Sequence, residues 1–147
     1  MAPALLRLAA VEPADLELIS AALQDSVAKV KDLTFLKGKR RFTAQLNRYR
    51  WEAADAGDRG QRVRAVLSVE GVLSVQARAV RRDAAEAVAA VLALRFEPAA
   101  EPPGGVIVLE LAGGGALRLE VECVDALLAD ISEPWTARAR PNHEGAA

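Results

Sequence analysis

The chain has one cysteine, Cys123, and one histidine, His143, in 147 residues. A lone cysteine excludes an intrachain disulfide and gives no argument for an oxidising compartment, so a reducing cytoplasm is the expected setting. One thiol and one imidazole cannot make the cluster that zinc prefers, and neither metal nor cofactor is expected. No apolar run approaches the roughly 18 residues of a membrane-spanning helix. The start, MAPALLRLAAVEPADLEL, lacks a basic leading segment, carries Arg7 inside its short apolar run and meets acids at once, unlike a secretory signal. No Gly-x-Ser-x-Gly elbow occurs, which removes the commonest hydrolase signature. Aromatic residues make up only 4% of the chain.

What is present is a globular composition, 52% hydrophobic and 27% charged. The length suits one domain, expected over residues 1–140 with a flexible polar tail at 141–147, and folding would bury about two thirds of the unfolded surface. The net charge of -1 hides an asymmetry. Residues 26–64 hold eleven Lys/Arg against four Asp/Glu, while residues 1–25 and 65–147 carry -3 and -5.

Periodicity predicts a short strand at 5–11 and then an amphipathic helix to about Gln24, with Pro13 in its first turn and Leu16, Ile19 and Leu23 at helical spacing. A two-residue type II′ turn at Gly38-Lys39 would set Phe35 opposite Phe42, Thr34 opposite Thr43 and Leu33 opposite Ala44. Phe42, Ala44 and Leu46 then share a face, and a bulge or bend near Asn47 would turn Tyr49 and Trp51 inward. Residues 53–60 read as a loop. Val63, Ala65, Leu67 and Val69 alternate, as do Leu73, Val75, Ala77 and Ala79, so two strands are expected to join around Gly71. Asp83 and Glu86 fit a helix cap, while Leu92, Leu94 and Phe96 fit a strand, so residues 84–93 are left open between helix and strand, with a helical turn and then a strand as the favoured reading. The run Gly113, Gly114, Gly115 predicts a hairpin pairing Leu111 with Leu117, Leu109 with Leu119 and Glu110 with Arg118. Val124, Leu127, Leu128 and Ile131 complete the pattern with a second short helix. The fold class is α+β: a mainly antiparallel β-sandwich or partly closed barrel with a short helix near each end.

The blocks LISAALQDSVAKVKDL, LNRYRWE, LALRFEP and GGGALRLEVECVDALLADI, followed by ARARPNHE, together resemble a family of short alphaproteobacterial proteins of about 150 residues, classed as a domain of unknown function. The resemblance spans almost the whole chain. It implies a single bacterial cytoplasmic domain and brings no reaction, ligand or catalytic residue with it.

The densest candidate site is KGKRRFTAQLNRYRWE, residues 37–52. Lys37, Lys39, Arg40, Arg41, Arg48 and Arg50 could follow a phosphate backbone, and Tyr49 and Trp51 could stack on bases if exposed. If those rings turn inward, the cations only solvate a turn or guard a strand edge. Glu110, Glu120 and Glu122 read as a charged solvent face rather than a catalytic carboxylate pair. Cys123 reads as a packed thiol before the last helix, and His143 lies too far along the tail to serve it. Trp135 is a candidate protein-interaction residue, with packing on the last helix as its structural alternative. The leading functional reading is a non-enzymatic protein-binding or adaptor module working through a sheet edge, the terminal helix or Trp135. Nucleic-acid binding through the basic hairpin at residues 37–50 stands second, an enzyme third, and no membrane role is expected. Oligomeric state is left open.

Overall fold

The computed structural model describes residues 5–52, 60–81 and 83–136. The strands are β1 (Arg7–Ala10), β2 (Val27–Lys29), β3 (Leu33–Leu36), β4 (Arg41–Tyr49), β5 (Gln61–Glu70) and β6 (Val72–Arg78). They continue as β7 (Val88–Pro98), β8 (Gly105–Leu111), β9 (Ala116–Val121), β10 (Ala126–Asp130) and β11 (Trp135–Thr136). Among the described residues there is one α-helix, α1 (Leu16–Leu23), between β1 and β2.

The first helix forms where its spacing places it. Pro13–Asp15 makes a 3-10 turn, and the Asp15 carboxylate accepts the Val11 and Glu12 N–H groups at 3.0 and 3.1 Å, which settles the chain reversal before α1. Leu16, Ile19 and Leu23 are buried, worth about 1.5–3 kcal/mol each in transfer free energy. Asp25, in the left-handed region at φ 65°, stops the helix.

All strand pairings are antiparallel, in the order β1-β10-β5-β4-β2-β7-β8-β9-β6, with β3 beside β4 and β11 beside β5. Gly71, at φ 68°, is the single residue between β5 and β6. Those strands do not pair with each other: β5 lies inside the order and β6 ends it. A strand that starts one residue after an interior strand yet closes the far end forces the sheet to curl back on itself. The curl encloses one core of α1 and the inward residues of β4, β5, β8, β9 and β10. The sheet nevertheless stays open, since β3 and β6 are not hydrogen-bonded to each other.

The β3–β4 register matches expectation, with Leu33 opposite Ala44, Thr34 opposite Thr43 and Phe35 opposite Phe42. The turn does not: Lys37–Lys39 form a 3-10 turn and Arg40 takes the left-handed conformation, at φ 50°, in place of a two-residue type II′ turn. The bulge expected near Asn47 is also absent. Pairing of β4 with β5 runs unbroken from Arg41 opposite Glu70 to Tyr49 opposite Arg62. Arg48 therefore continues the inward face of Phe42, Ala44 and Leu46, while Tyr49 is buried on the other face. Gly60 allows that burial, because a Cβ there would stand 2.1 Å from the Tyr49 hydroxyl.

Other expectations change in whole or in part. The β8–β9 hairpin is displaced by two residues, pairing Leu109 with Leu117 and Glu110 with Ala116, because the turn takes in Leu111 to Gly115 and uses positive φ at Gly113 and Gly114. An even displacement keeps the inward face. Residues 84–93 hold a turn and then the start of β7, which keeps the expected order of a turn followed by a strand, although no helix is capped by Asp83. The second helix is replaced by β10, flanked by β1 and β5, in which Ala126, Leu128 and Asp130 point inward and Ile131 is 53% exposed. On β6 an irregularity between Val72 and Ser74 leaves Leu73 exposed, with Val75 and Ala77 half-buried on the inner side, and Ala79, at φ 53° just past the strand, is exposed.

Candidate functional site

The six cations of the basic hairpin are scattered. Lys37 and Lys39 are exposed at the turn. Arg40 donates to Glu122 at 2.7 Å and Arg41 to Glu70 at 2.6 Å. Arg48 is fully buried, and Arg50 is buried against Gln61, to which its Nη1 donates. Tyr49 and Trp51 meet edge to face with centroids 4.6 Å apart, Trp51 Nε1 donates to the Gln24 carbonyl at 2.8 Å, and the Arg62 guanidinium lies over the Tyr49 ring. The aromatics are thus engaged with the fold and offer no continuous stacking platform. Burial lowers the Arg62 pKa from its ordinary value.

Trp135 does not pack on a terminal helix. It pairs with Arg62 in β11 and is 40% exposed. Cys123 sits half-buried in the loop between β9 and β10. Glu110 is bound by Arg95 at 2.7 Å, Glu122 by Arg40, and Glu120 is exposed, so the three carboxylates do not form one site. Residues 137–147, with His143, lie outside the described residues.

A buried ion cluster was not anticipated. Arg48 donates through Nε and Nη2 to both Asp130 oxygens at 3.0 and 2.9 Å, and through Nη1 and Nη2 to both Glu52 oxygens at 2.9 and 2.7 Å. Its last N–H reaches the Tyr49 carbonyl at 3.3 Å, so all five guanidinium donors are used. The Leu6 N–H also donates to Asp130 at 2.8 Å. Burial pushes the Arg48 pKa down, but the hydrogen bonds with Glu52 and Asp130 outweigh it and hold the group above its ordinary value. Burial is likewise the largest single influence on Glu52 and raises it, but the Arg48 hydrogen bond, a backbone hydrogen bond and the charges of Arg48 and Arg50 together lower it by more, for a net downward shift. A cluster so fully satisfied has no donor left for a ligand; it anchors β4 to β10. The sequence carried a faint signal of it: Arg48 and Asp130 both fall in phase with the inward residues of their strands.

The feature with open valence is the gap between β3 and β6. Leu33 and Phe35 from β3 with Phe42 behind them face Val75 and Ala77 from β6 with Leu117 behind them, across a cleft of about 250 Å³. Val30 and Val80 close its lower end. Every described lining residue is apolar. Two brackets hold the gap: Val72 N–H to the Arg40 carbonyl at 2.8 Å above, and Val30 and Lys31 N–H to the Ala87 and Ala85 carbonyls at 2.9 and 3.0 Å below. Between them, β3 and β6 each have a partner on one side only. Edges of this kind invite strand addition.

Two other hollows are lined in part by charged side chains. One of about 340 Å³ lies where β2 leaves β4 and holds Lys29, Lys31, Asp32 and Arg64, paired among themselves and with Glu86. The broader one, about 760 Å³, holds Glu97, Glu101, Arg118, Glu120 and Glu122. Arg118 and Arg95 pull the Glu97 pKa down to about 2, so that carboxylate is an ion-pair member rather than a general acid. Among the described residues no group of three or more His, Cys, Asp or Glu could hold a metal ion, and no helix is long and apolar enough to cross a membrane.

A family model described as "Protein of unknown function (DUF2948)" matches residues 6–143 of the chain. Searches of curated proteins and of solved structures found no match.

Proposed function

We propose, for a chain that belongs to the DUF2948 family of proteins of unknown function, a non-enzymatic protein-binding module whose binding surface is the β3–β6 gap. The observation that carries this is the coincidence of two free strand edges with an apolar cleft leading into the core. Strand addition supplies affinity through main-chain hydrogen bonds, and pockets for alternate side chains supply selectivity. The cytoplasmic setting expected from the sequence suits a lone, half-buried Cys123.

Nucleic-acid binding through residues 37–50 is the second reading, favoured by the unpaired state of Lys37 and Lys39. With Arg40 and Arg41 ion-paired and Arg48 and Arg50 buried, two cations are left for phosphates. That would give a log affinity against log salt slope of only about -1.4 on a single strand.

A peptide-display selection on the folded chain tests the leading reading, with Ala77→Trp as the counter-target because an indole there fills the cleft. Enriched peptides that bind the wild type and not the filled variant are expected. In the wild type they should shift the amide resonances of Leu33–Leu36 and of residues 75–78. Peptides that bind both proteins alike, or shift amides elsewhere, overturn it.

A further inference from the structure

We infer that the occupant of the gap is an extended acidic segment, with two apolar side chains at i and i+2 and carboxylates on both flanks, inserted as a strand between β3 and β6. This rests on the protein-binding reading and adds the partner's chemistry.

The length of the occupant follows from the brackets. Between the Arg40–Val72 bond and the Val30–Ala87 bond lie the four residues of β3, about 13 Å of extended chain. Side chains alternate along a strand, so two of the four inserted residues point into the core. A cleft of about 250 Å³ holds two medium aliphatic side chains, given that about 150 Å³ accommodates one benzene.

The flanks follow from the charges. Among the described residues the Lys and Arg side chains without an ion pair or hydrogen bond are Arg7, Lys37, Lys39, Arg78 and Arg81. Four of these five lie at the two ends of the gap: Lys37 and Lys39 in the turn that follows β3, Arg78 at the end of β6 and Arg81 just beyond it. Asp83, exposed two positions after Arg81, offsets one of them. The nearby carboxylates Glu86 and Glu122 are already taken, by Lys29 and Lys31 and by Arg40. A ligand leaving the cleft at either end therefore meets uncompensated positive charge, which favours acidic partners and speeds their association. A lipid would satisfy the cleft and one cation pair, but would leave the facing N–H and C=O groups of both edges without partners. A strand satisfies all three features.

Three synthetic peptides test this on the full chain at low salt, by fluorescence polarisation. They are Asp-Glu-Val-Thr-Val-Asp-Glu, the same core flanked by lysines, and the acidic peptide N-methylated at its central threonine. The acidic peptide is expected to bind at least tenfold more tightly than the lysine-flanked one, with the preference abolished in the Lys37→Glu, Lys39→Glu, Arg78→Glu, Arg81→Glu variant. N-methylation should weaken binding at least tenfold. Equal binding of acidic and basic peptides overturns the inferred chemistry while the display selection can still support the gap as a protein site. Undiminished binding of the N-methylated peptide overturns insertion as a strand. Failure of all three peptides, with unrelated sequences enriched in the selection, overturns this inference alone, and an empty selection overturns both.

Discussion

A single inward position on β4 shows how much one residue decides. Arg48 is placed in the core by strand alternation, and its charge is tolerable there because five donors meet five acceptors. Breaking such a pair on one side is far costlier than replacing it whole. Asp130→Ala should therefore cost about 3–5 kcal/mol, because it takes two of five acceptors from a buried guanidinium, leaving it the partly exposed Glu52 and the Tyr49 carbonyl, and frees the Leu6 amide, whereas Arg48→Met with Asp130→Leu should recover most of that loss. Urea unfolding of the two variants checks this; equal destabilisation would mean that the ion pair itself, not its satisfaction, holds β4 to β10. Arg48 and Asp130 were legible only as positions in phase with an apolar face. Sequence alone could not say that the two strands lie within reach of each other, since 82 positions separate them.

Among the elements, what was legible depended on how many independent signals agreed. The β3–β4 register was recoverable because Phe35 with Phe42 and Leu33 with Ala44 satisfy one face at once. In the β8–β9 hairpin the faces were right and the pairing two residues off, since apolar alternation cannot distinguish registers that differ by an even number. For β10, Val124, Leu127, Leu128 and Ile131 fit a helix while Ala126, Leu128 and Asp130 fit a strand. Short apolar runs carry both patterns, and the flanking β1 and β5 select the strand. Helix α1 makes a further tie that periodicity does not disclose. Where the β7 register shifts between Val91 and Ala93, the Leu94 N–H donates to the Ser20 hydroxyl at 2.9 Å. Ser20→Ala should leave that amide unpaired and cost about 1–3 kcal/mol, read as a lowered urea midpoint together with faster hydrogen exchange at Leu94. A midpoint within error of the wild type would show that water replaces the hydroxyl.

At the scale of the molecule, charge pairing sets the response to pH. Glu52, Glu86 and Glu97 all stand below their ordinary value of 4.5, through Arg48 for Glu52, Lys31 and Lys29 for Glu86, and Arg118 and Arg95 for Glu97. Their contribution to stability is complete above the unfolded value and is lost as pH falls towards the folded ones, about 2 for Glu97. Arg48 is shifted the other way, so its contribution is present throughout the neutral range and is lost only in strong alkali. The urea midpoint should thus be flat from about pH 5 to 9 and fall below about pH 4.5. A midpoint unchanged down to about pH 3 would show these carboxylates equally paired in the unfolded chain. The antiparallel, strand-rich class, the first helix and the inward faces of most strands follow from local periodicity and can be read from the residues alone. The open sheet, the meeting of Arg48 with Asp130 and the gathering of four unpaired cations at the ends of an apolar gap come instead from the folded arrangement. Each of those depends on where the sheet's curl brings residues far apart in the chain, and no local pattern encodes that distance.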